Sequence, residues 1–307
     1  MQKPLRPRKS VLVIISSYNS RKYIRQQLDS ILNQEGIDVR IWIRDDGSED
    51  DTLEIIDQYC KMDSRITVTA GINLGPCRSF LTAIYSCPIK TDYFAFSDAD
   101  DVWNNDKLAH SVALLESNQG QSPTAVATRV EVVNAQLQHI MYSRIPRVGF
   151  SFNNALIETL ATGMTIVMNP AAFTLLRSRR PSYAVMHDAW IYLLVTAFGR
   201  FIYSPYATVK YRQHDSNFFG AGHSLKKRMR LRWSKLWHLS PFRRQALEFL
   251  ELHGQQLDKD KFDAINKYCN YSVSTASRVA FMIKPSVVKQ HWLSNIYMRL
   301  LIILGME

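Results

Sequence analysis

The first hundred residues alternate between short apolar runs and longer stretches whose apolar residues recur at helical spacing. Val11–Ile15 is apolar throughout, which predicts a β-strand buried on both faces. The turn-forming residues Ser17-Tyr18-Asn19-Ser20 follow it. Over residues 20–34, Tyr23, Ile24, Leu28, Ile31 and Leu32 fall on one helical face. Val39–Arg44 predicts a second strand, ending in Asp45-Asp46-Gly47-Ser48, and Asp51-Thr52 opens a second helical pattern through Leu53, Ile55, Ile56 and Tyr59. A short strand is predicted at Ile66–Thr69, a loop over residues 71–76 and a helix over Ser79–Tyr85. Tyr93–Ser97 predicts a further strand that terminates in Asp98-Ala99-Asp100-Asp101. This strand–helix rhythm predicts an α/β fold, a mostly parallel sheet flanked by helices.

Downstream, Ala125–Val133 predicts a strand with a hairpin return near Leu137 and His139. Ser151–Thr162 reads as helix, Thr165–Met168 as strand and His187–Phe198 as a strongly apolar helix. Ile202–Tyr203 and Thr208–Tyr211 read as two short edge strands, and beyond residue 223 the pattern is helical. The expected organisation is therefore an α/β unit over residues 1–222 and a helical extension over 223–307.

Composition narrows the class. With 46% apolar and 21% charged residues over 307 positions, the chain can bury a full core, which excludes wholesale disorder. Cys60, Cys77, Cys87 and Cys269 form no C-x-x-C pair, so nothing supports a zinc ribbon or thioredoxin-like motif, and a reducing compartment is expected. The basic N-terminus precedes only the short run Val11–Ile15, too brief for a secretory signal. No window reaches the roughly 18 apolar residues of a spanning helix; the nearest, Ile296–Leu304, is short and contains Arg299.

Charge is unevenly placed. Residues 1–222 carry 23 basic and 21 acidic side chains, whereas residues 223–307 carry 15 basic and 6 acidic, so the excess of cations belongs to the C-terminal part. Between Ser216 and Leu247 there is no acidic residue, yet Lys226, Lys227, Arg228, Arg230, Arg232, Lys235, Arg243 and Arg244 all occur there. Leu225, Met229, Trp233, Leu236 and Trp237 fall near one helical face within it. A basic amphipathic helix with Trp suits an anionic membrane surface; a packing helix with a solvated basic face fits the same pattern, and RNA binding fits it less well.

The chemistry-bearing residues gather at predicted strand ends: Tyr18-Asn19, Asp45-Asp46, Asn73 and Asp98–Asp101. In open α/β sheets ligands bind at the carboxyl ends of the strands. No G-x-G-x-x-G follows the first strand and no Walker A motif occurs, which disfavours a dinucleotide-binding or P-loop enzyme. The D-x-D of Asp98 and Asp100 suits a hard divalent cation that retains phosphate oxygens as co-ligands. Taken alone, such an acidic loop is equally a solvated turn or a cap for the helix starting near Lys107. Asp188 near the start of the 187–198 helix suits either a general base or a favourable place in the helix dipole. His187 either orients Asp188 or is a core histidine. Trp190 suits an acceptor sugar but more commonly such a residue is core.

The runs VLVIISSYNSRKYIRQQLDSIL, IRDDGSEDDT, NLGPCRSF and FSDADDVW, followed by TGMT, HDAW and YRQHDSN, together resemble the family 2 glycosyltransferases of GT-A fold. The resemblance covers about residues 10–220, and FSDADDVW and YRQHDSN are most similar to the bacterial rhamnosyltransferase-type subgroup that builds cell-surface polysaccharide. It implies an inverting, metal-dependent transfer from a nucleoside-diphosphate sugar, best dTDP-L-rhamnose and alternatively a UDP-hexose or UDP-N-acetylhexosamine. The acceptor implied is a hydroxyl of a growing, lipid-linked saccharide, at the inner face of the cytoplasmic membrane.

Residue by residue, the resemblance implies donor binding by Ser17, Tyr18 and Asn19, base and ribose reading by Asp45 and Asp46, and a covering loop with Asn73 and Arg78. It implies donor contacts for Asp98 and Ala99, and a cation (Mg²⁺ or Mn²⁺) at Asp100, with His214 as a further ligand. Asp188 matches the general base. Arg212 itself suits either of two roles, a charge-assisted donor to the diphosphate, the favoured one, or a partner of an acidic loop. Ser79 stands where the subgroup often has Asn, and Met164 where Cys is frequent. Two rivals of other classes are a nucleotidyltransferase, which lacks its Gly-rich loop here, and a non-catalytic membrane- or RNA-binding module, which leaves the strand-end clusters without purpose. Nucleic acid is not an expected partner.

Overall fold

The computed structural model describes residues 8–88, 90–118, 120–214 and 240–304. Its frame is a nine-stranded mixed sheet built around β1 (Lys9–Ser17). β1 lies between β2 (Ile37–Asp45) and β4 (Tyr93–Ser97), parallel to both, and β3 (Ile66–Ala70) extends the sheet beyond β2. Val11–Ile15 are all fully buried, because helices cover both faces at this point. Alternate side chains enter different cores. Leu12 and Ile14 join Phe80, Phe96 and Trp190, while Val11, Val13 and Ile15 join Ile24, Leu28 and Ile56.

The helices after β1 and β2 are α1 (Ile24–Leu32) and α2 (Thr52–Met62), and α3 (Pro76–Ser86) follows β3. Proline opens α3, where its missing N–H costs nothing. After β4 come a two-residue strand β5 (Val102–Trp103), α4 (Lys107–Ser117), β6 (Thr124–Val133) and its hairpin partner β7 (His139–Tyr142). β8 (Val167–Met168) bridges β4 and β6, antiparallel to each, and β9 (Arg200–Arg212) runs parallel to β6.

Two expectations require correction. The helix predicted over 151–162 is only α5 (Phe152–Ala155). Ser151 caps it by accepting from Asn154 N–H, and Asn154 then bonds Tyr192, Glu158 and the carbonyl of Val288. Tertiary polar contacts thus end the helix early. The two predicted edge strands over 202–211 are one strand, β9, flanked by β6 and β5. Ser204 pairs with Thr128 and Ala207 with Arg129, so Pro205 and Tyr206 bulge from the ladder without ending it.

A short 3₁₀ turn, Gly163–Thr165, precedes β8, and α6 (Pro170–Ser178) and α7 (His187–Phe198) lie between β8 and β9. The described C-terminal residues form α8 (Ser240–His253), α9 (Lys259–Asn270), α10 (Thr275–Ile283) and α11 (Trp292–Leu304). They share the core of the sheet's helical face: Phe249 meets Trp190 with ring centroids 5.5 Å apart, and Tyr268, Phe281, Met298 and Ile302 are buried in the same cluster. The basic amphipathic segment expected between Leu225 and Leu239 lies outside the described residues. Arg243 and Arg244 are described: Arg243 donates to the carbonyl of Cys269 and Arg244 lies over the Tyr183 ring. No helix among the described residues is long and apolar enough to cross a membrane.

Candidate active site

The first part of the site arises from the register of β1 and β2. Ser17 is paired with Asp45 at the carboxyl end of both strands, and its hydroxyl donates to Asp45 Oδ2 at 2.9 Å. Ser48 donates its N–H and hydroxyl to the same carboxylate at 2.8 and 2.6 Å. Asn19 adopts φ +46°, a left-handed conformation that Asn tolerates, and its side chain accepts from Glu49 N–H at 2.9 Å. Buried Asp45 therefore ties the two loops together, while Tyr18 stays exposed above them.

Asp46 is equally buried. It is ion-paired with Arg44 and accepts from the N–H groups of Leu74 and Gly75, both at 2.9 Å. Arg44 also donates to Ser79 Oγ at 2.8 Å and to the Ile72 carbonyl at 2.9 Å. This buried guanidinium holds the 71–75 loop onto the strand ends, a role the sequence reading missed. Its signal was a cation inside an otherwise apolar buried strand. Asn73 is exposed and accepts from Gly75 N–H. Arg78 does not lie in the loop as expected: α3 begins at Pro76, so Arg78 occupies its first turn, exposed.

The second part follows β4. Ser97 accepts from Gln27 at 2.6 Å and donates to the Asp98 carbonyl at 2.8 Å, fixing the start of the acidic turn. Ala99 and Asp101 are buried, and Asp98 and Asp100 half-buried. Burial, then Asp100, then Asp188 raise the Asp98 carboxyl to about 7. Burial and the charges of Asp100 and Asp98 also push Asp101 well up. One Asp101 oxygen accepts from Arg212 N–H at 3.0 Å and the other has no partner among the described residues. Asp101 is therefore not a helix cap for α4. His214 Nε2 lies 3.0 Å from Asp100 Oδ2, with its ring stacked on Tyr23 at 4.6 Å.

Of the two roles expected for Arg212, the structure shows the partner of the acidic loop: the side chain is buried against the Asp100–Asp101 turn and does not reach outward. Its guanidinium donates to the carbonyls of Asp100 and Ala135, both at 2.8 Å, and to Gln26 at 2.6 Å, and it lies 4.6 Å from the Tyr23 ring. It clamps the acidic turn, α1 and the β6–β7 turn to one another.

The third part is the start of α7. Asp188 accepts from Gly163 N–H at 3.1 Å and from Ala189 N–H at 2.7 Å. Burial raises its carboxyl to about 6, against those two N–H groups, which lower it. His187 is buried, stacks on Phe80 at 3.8 Å, and neither ring nitrogen has a partner among the described residues. Burial lowers it to about 3, so it is a neutral core histidine that does not hydrogen-bond Asp188. Met164 and Trp190 are buried core residues too.

A cleft of about 620 Å³ opens beside Asp100, walled by Tyr18, Tyr23, Asp50, Gln136 and His214 among others. Gln136, on the β6–β7 turn, was not anticipated from sequence. Of the expected site residues only Tyr18, Asn19, Asp100 and His214 are among the cleft's described walls; Ser17, Asp45, Asp46, Asn73, Arg78, Asp98, Ala99, Asp188 and Arg212 are not. Among the described residues no three His, Cys, Asp or Glu side chains converge as a metal site. The paired Asp100 and His214 match what a cation needs when substrate phosphates and water supply most of its oxygens. The mutually repelling Asp98, Asp100 and Asp101 favour positive charge at the same place.

Comparison with known proteins agrees with this architecture. The model of the family "Glycosyl transferase family 2" matches residues 12–177, more than half of the chain. A dTDP-rhamnosyl transferase, RfbG of Shigella flexneri, is 27% identical over 229 residues, covering 69% of this chain and 75% of its own. The putative teichuronic acid biosynthesis glycosyltransferase TuaG of Bacillus subtilis is 39% identical over 99 residues, 32% of this chain and 38% of its own. Among solved structures, S. aureus TarS in complex with UDP-GlcNAc superposes with a TM-score of 0.57 at 18% identity, covering 90% of this chain and 76% of that one. The mannosyltransferase PcManGT of Pyrobaculum calidifontis, in complex with GDP-Man and Mn²⁺, gives 0.54 at 16% identity, over 99% of this chain and 82% of that one.

Proposed function

The chain belongs to the family 2 glycosyltransferases and has their GT-A fold, and on that premise we propose that it transfers L-rhamnose from dTDP-L-rhamnose, with inversion, to a hydroxyl of a lipid-linked saccharide. The observation that supports the reading is the acidic turn at the carboxyl end of β4, where Asp100 pairs with His214 at 3.0 Å on the wall of the cleft. The charge of Asp188 raises the Asp98 carboxyl although the two are ninety positions apart in sequence. On this reading Asp188 is the base, acting next to the acidic turn that would face the leaving diphosphate.

In this mechanism the ionised Asp188 accepts the proton of the acceptor hydroxyl as its oxygen attacks the anomeric carbon. The bond to the diphosphate breaks on the opposite side, which inverts the centre. A group titrating near 6 is largely ionised at neutral pH yet basic enough to take the proton. Asp100 and His214 would hold a Mg²⁺ or Mn²⁺ ion whose charge neutralises the departing diphosphate. We assign the donor side to Ser17, Tyr18, Asn19, Asp45, Asp46, Asn73, Arg78, Asp98 and Ala99, of which Tyr18 and Asn19 line the cleft. Asp45 and Asp46 act by holding its loops, and Arg212 by holding the acidic turn.

The name of the Shigella relative supports the rhamnose donor, and TuaG supports a polymer of the cell surface as acceptor. We place the enzyme at the inner face of the cytoplasmic membrane, with residues 1–222 as the catalytic unit and the C-terminal region as an extension. The test is a panel of labelled nucleotide sugars with Mg²⁺ or Mn²⁺, reading nucleoside diphosphate release. dTDP-L-rhamnose should turn over fastest and Asp100→Asn should abolish release without altering the melting temperature. Faster turnover of UDP-N-acetylglucosamine or a GDP sugar overturns the donor, and an active Asp100→Asn overturns the cation site.

A further inference from the structure

Helix α11 is apolar on two sides. Met298, Leu301 and Ile302 are buried against the core, while Trp292 (62% exposed), Leu293, Ile296 and Leu300 face outward. The neighbouring α10 buries Phe281 and exposes Val279 and Ile283 (69%). A helix with apolar residues all round is normally covered on all sides. Large exposed apolar faces on soluble proteins mark interaction surfaces.

The charge around these helices says what covers them. After Asp263 the next acidic residue is Glu307, and between them stand Lys267, Arg278, Lys284, Lys289 and Arg299. Lys284 and Arg299 are exposed. A second copy docking by the same face would set these cations against themselves, since a two-fold contact pairs a patch with its own equivalent. The segment Leu225–Leu239 of this chain is itself basic and free of acidic residues, so it is repelled in the same way. A polyanionic surface is attracted. Aliphatic Leu293, Ile296 and Leu300 suit acyl chains, and Trp292 suits the headgroup level. We infer that the outer faces of α10 and α11 are the surface by which the protein lies on an anionic membrane. This deepens the reading of a membrane-linked acceptor and puts the contact on α10 and α11, in place of the basic segment expected between Leu225 and Leu239.

Vesicles containing phosphatidylglycerol should sediment the full-length chain, pure phosphatidylcholine vesicles far less, and salt should weaken binding. Trp42, Trp103 and Trp190 are buried, so quenching by brominated acyl chains should fall mainly on Trp292 and be lost in Trp292→Phe. The double variant Ile296→Asp, Leu300→Asp should bind at least about tenfold less, at unchanged melting temperature. Absence of binding at low salt overturns the inference. So does quenching that survives Trp292→Phe and is removed only by changing Trp233 and Trp237. A double variant that melts much earlier shows a face covered by protein, and one that dissociates a dimer shows a second copy; displacement of the protein from vesicles by RNA at this face shows a nucleic-acid site. Each of these also overturns it. The vesicles hold neither donor nor acceptor, so this outcome and that of the nucleotide-sugar panel are independent.

Discussion

Gly163 donates its backbone N–H to Asp188 Oδ2, and a Cβ on Gly163 would stand 2.5 Å from His187 Nε2. The residue that orients the candidate base is thus wedged against that base's sequence neighbour. His187 cannot retreat easily, because it is buried and stacked on Phe80. Gly163→Ala should therefore displace the ring or the 3₁₀ turn, at a cost of about 1–3 kcal/mol. Thermal unfolding should show the loss, and transfer should slow more than donor binding weakens. An alanine variant with unchanged melting temperature and rate would show that the turn relaxes freely.

Asp188→Asn should lower kcat by roughly 10²–10⁴, the usual worth of a positioned base. In the wild type the rate should climb as pH rises through about 6, when the carboxyl ionises. Stability moves the other way. The folded state holds this proton more tightly than the unfolded chain, so the contribution of Asp188 falls as pH rises from the ordinary carboxyl range through about 6. The variant should lose the acid limb of the rate and Asp188's share of the stability trend, while the shares of Asp98 and Asp101 remain. A pH–rate profile whose acid limb persists in Asp188→Asn assigns the base elsewhere.

These relationships differ in how far the sequence displays them. Val11–Ile15 and Tyr93–Ser97 were legible because an apolar run buried on both faces needs no knowledge of its partners, and the polar clusters that follow each run marked the strand ends. His187–Phe198 was legible for the same reason. Pro205 misled, since a proline argues against a continuous strand unless one knows that the ladder accommodates a bulge there. Asn154 misled in the opposite sense: its helical spacing is real, but its side chain is satisfied by Tyr192 and the Val288 carbonyl, which local pattern cannot reveal. Arg44 and Arg212 share that difficulty. Both are charged residues whose partners are backbone carbonyls and side chains distant in sequence, so the sequence left Arg212 between a diphosphate and an acidic loop and suggested nothing for Arg44.

Arg212→Lys tests the clamp. A lysine keeps the charge but cannot reach Asp100 O, Ala135 O and Gln26 together, as the planar guanidinium does. The acidic turn and the Gln136 wall of the cleft should loosen relative to one another. KM for the donor should rise and the melting temperature fall, with the pH profile set by Asp188 unmoved. A variant impaired only in kcat, with donor affinity and melting temperature intact, would point to direct contact with the reacting groups.

Lys107 offers a test outside the walls of the cleft. Its side chain is fully buried at the start of α4, and its Nζ lies 4.0 Å from the centre of the Trp103 ring with no hydrogen-bond partner among the described residues. Burial lowers its amine to about 7, so at neutral pH the folded protein carries it partly uncharged while the unfolded chain keeps the proton. Stability from this group should rise as pH increases from about 7 toward the ordinary lysine range, because there only the unfolded state binds the proton. Lys107→Met keeps an unbranched side chain of similar reach and removes the unsatisfied amine. It should raise stability at neutral pH by about 1–3 kcal/mol, the cost of burying an unpaired polar group, and flatten the rise above pH 7. Transfer activity should not change, since Lys107 is not among the cleft's described walls. A methionine variant that melts earlier than wild type at neutral pH would show that the amine has a partner and that its burial is stabilising.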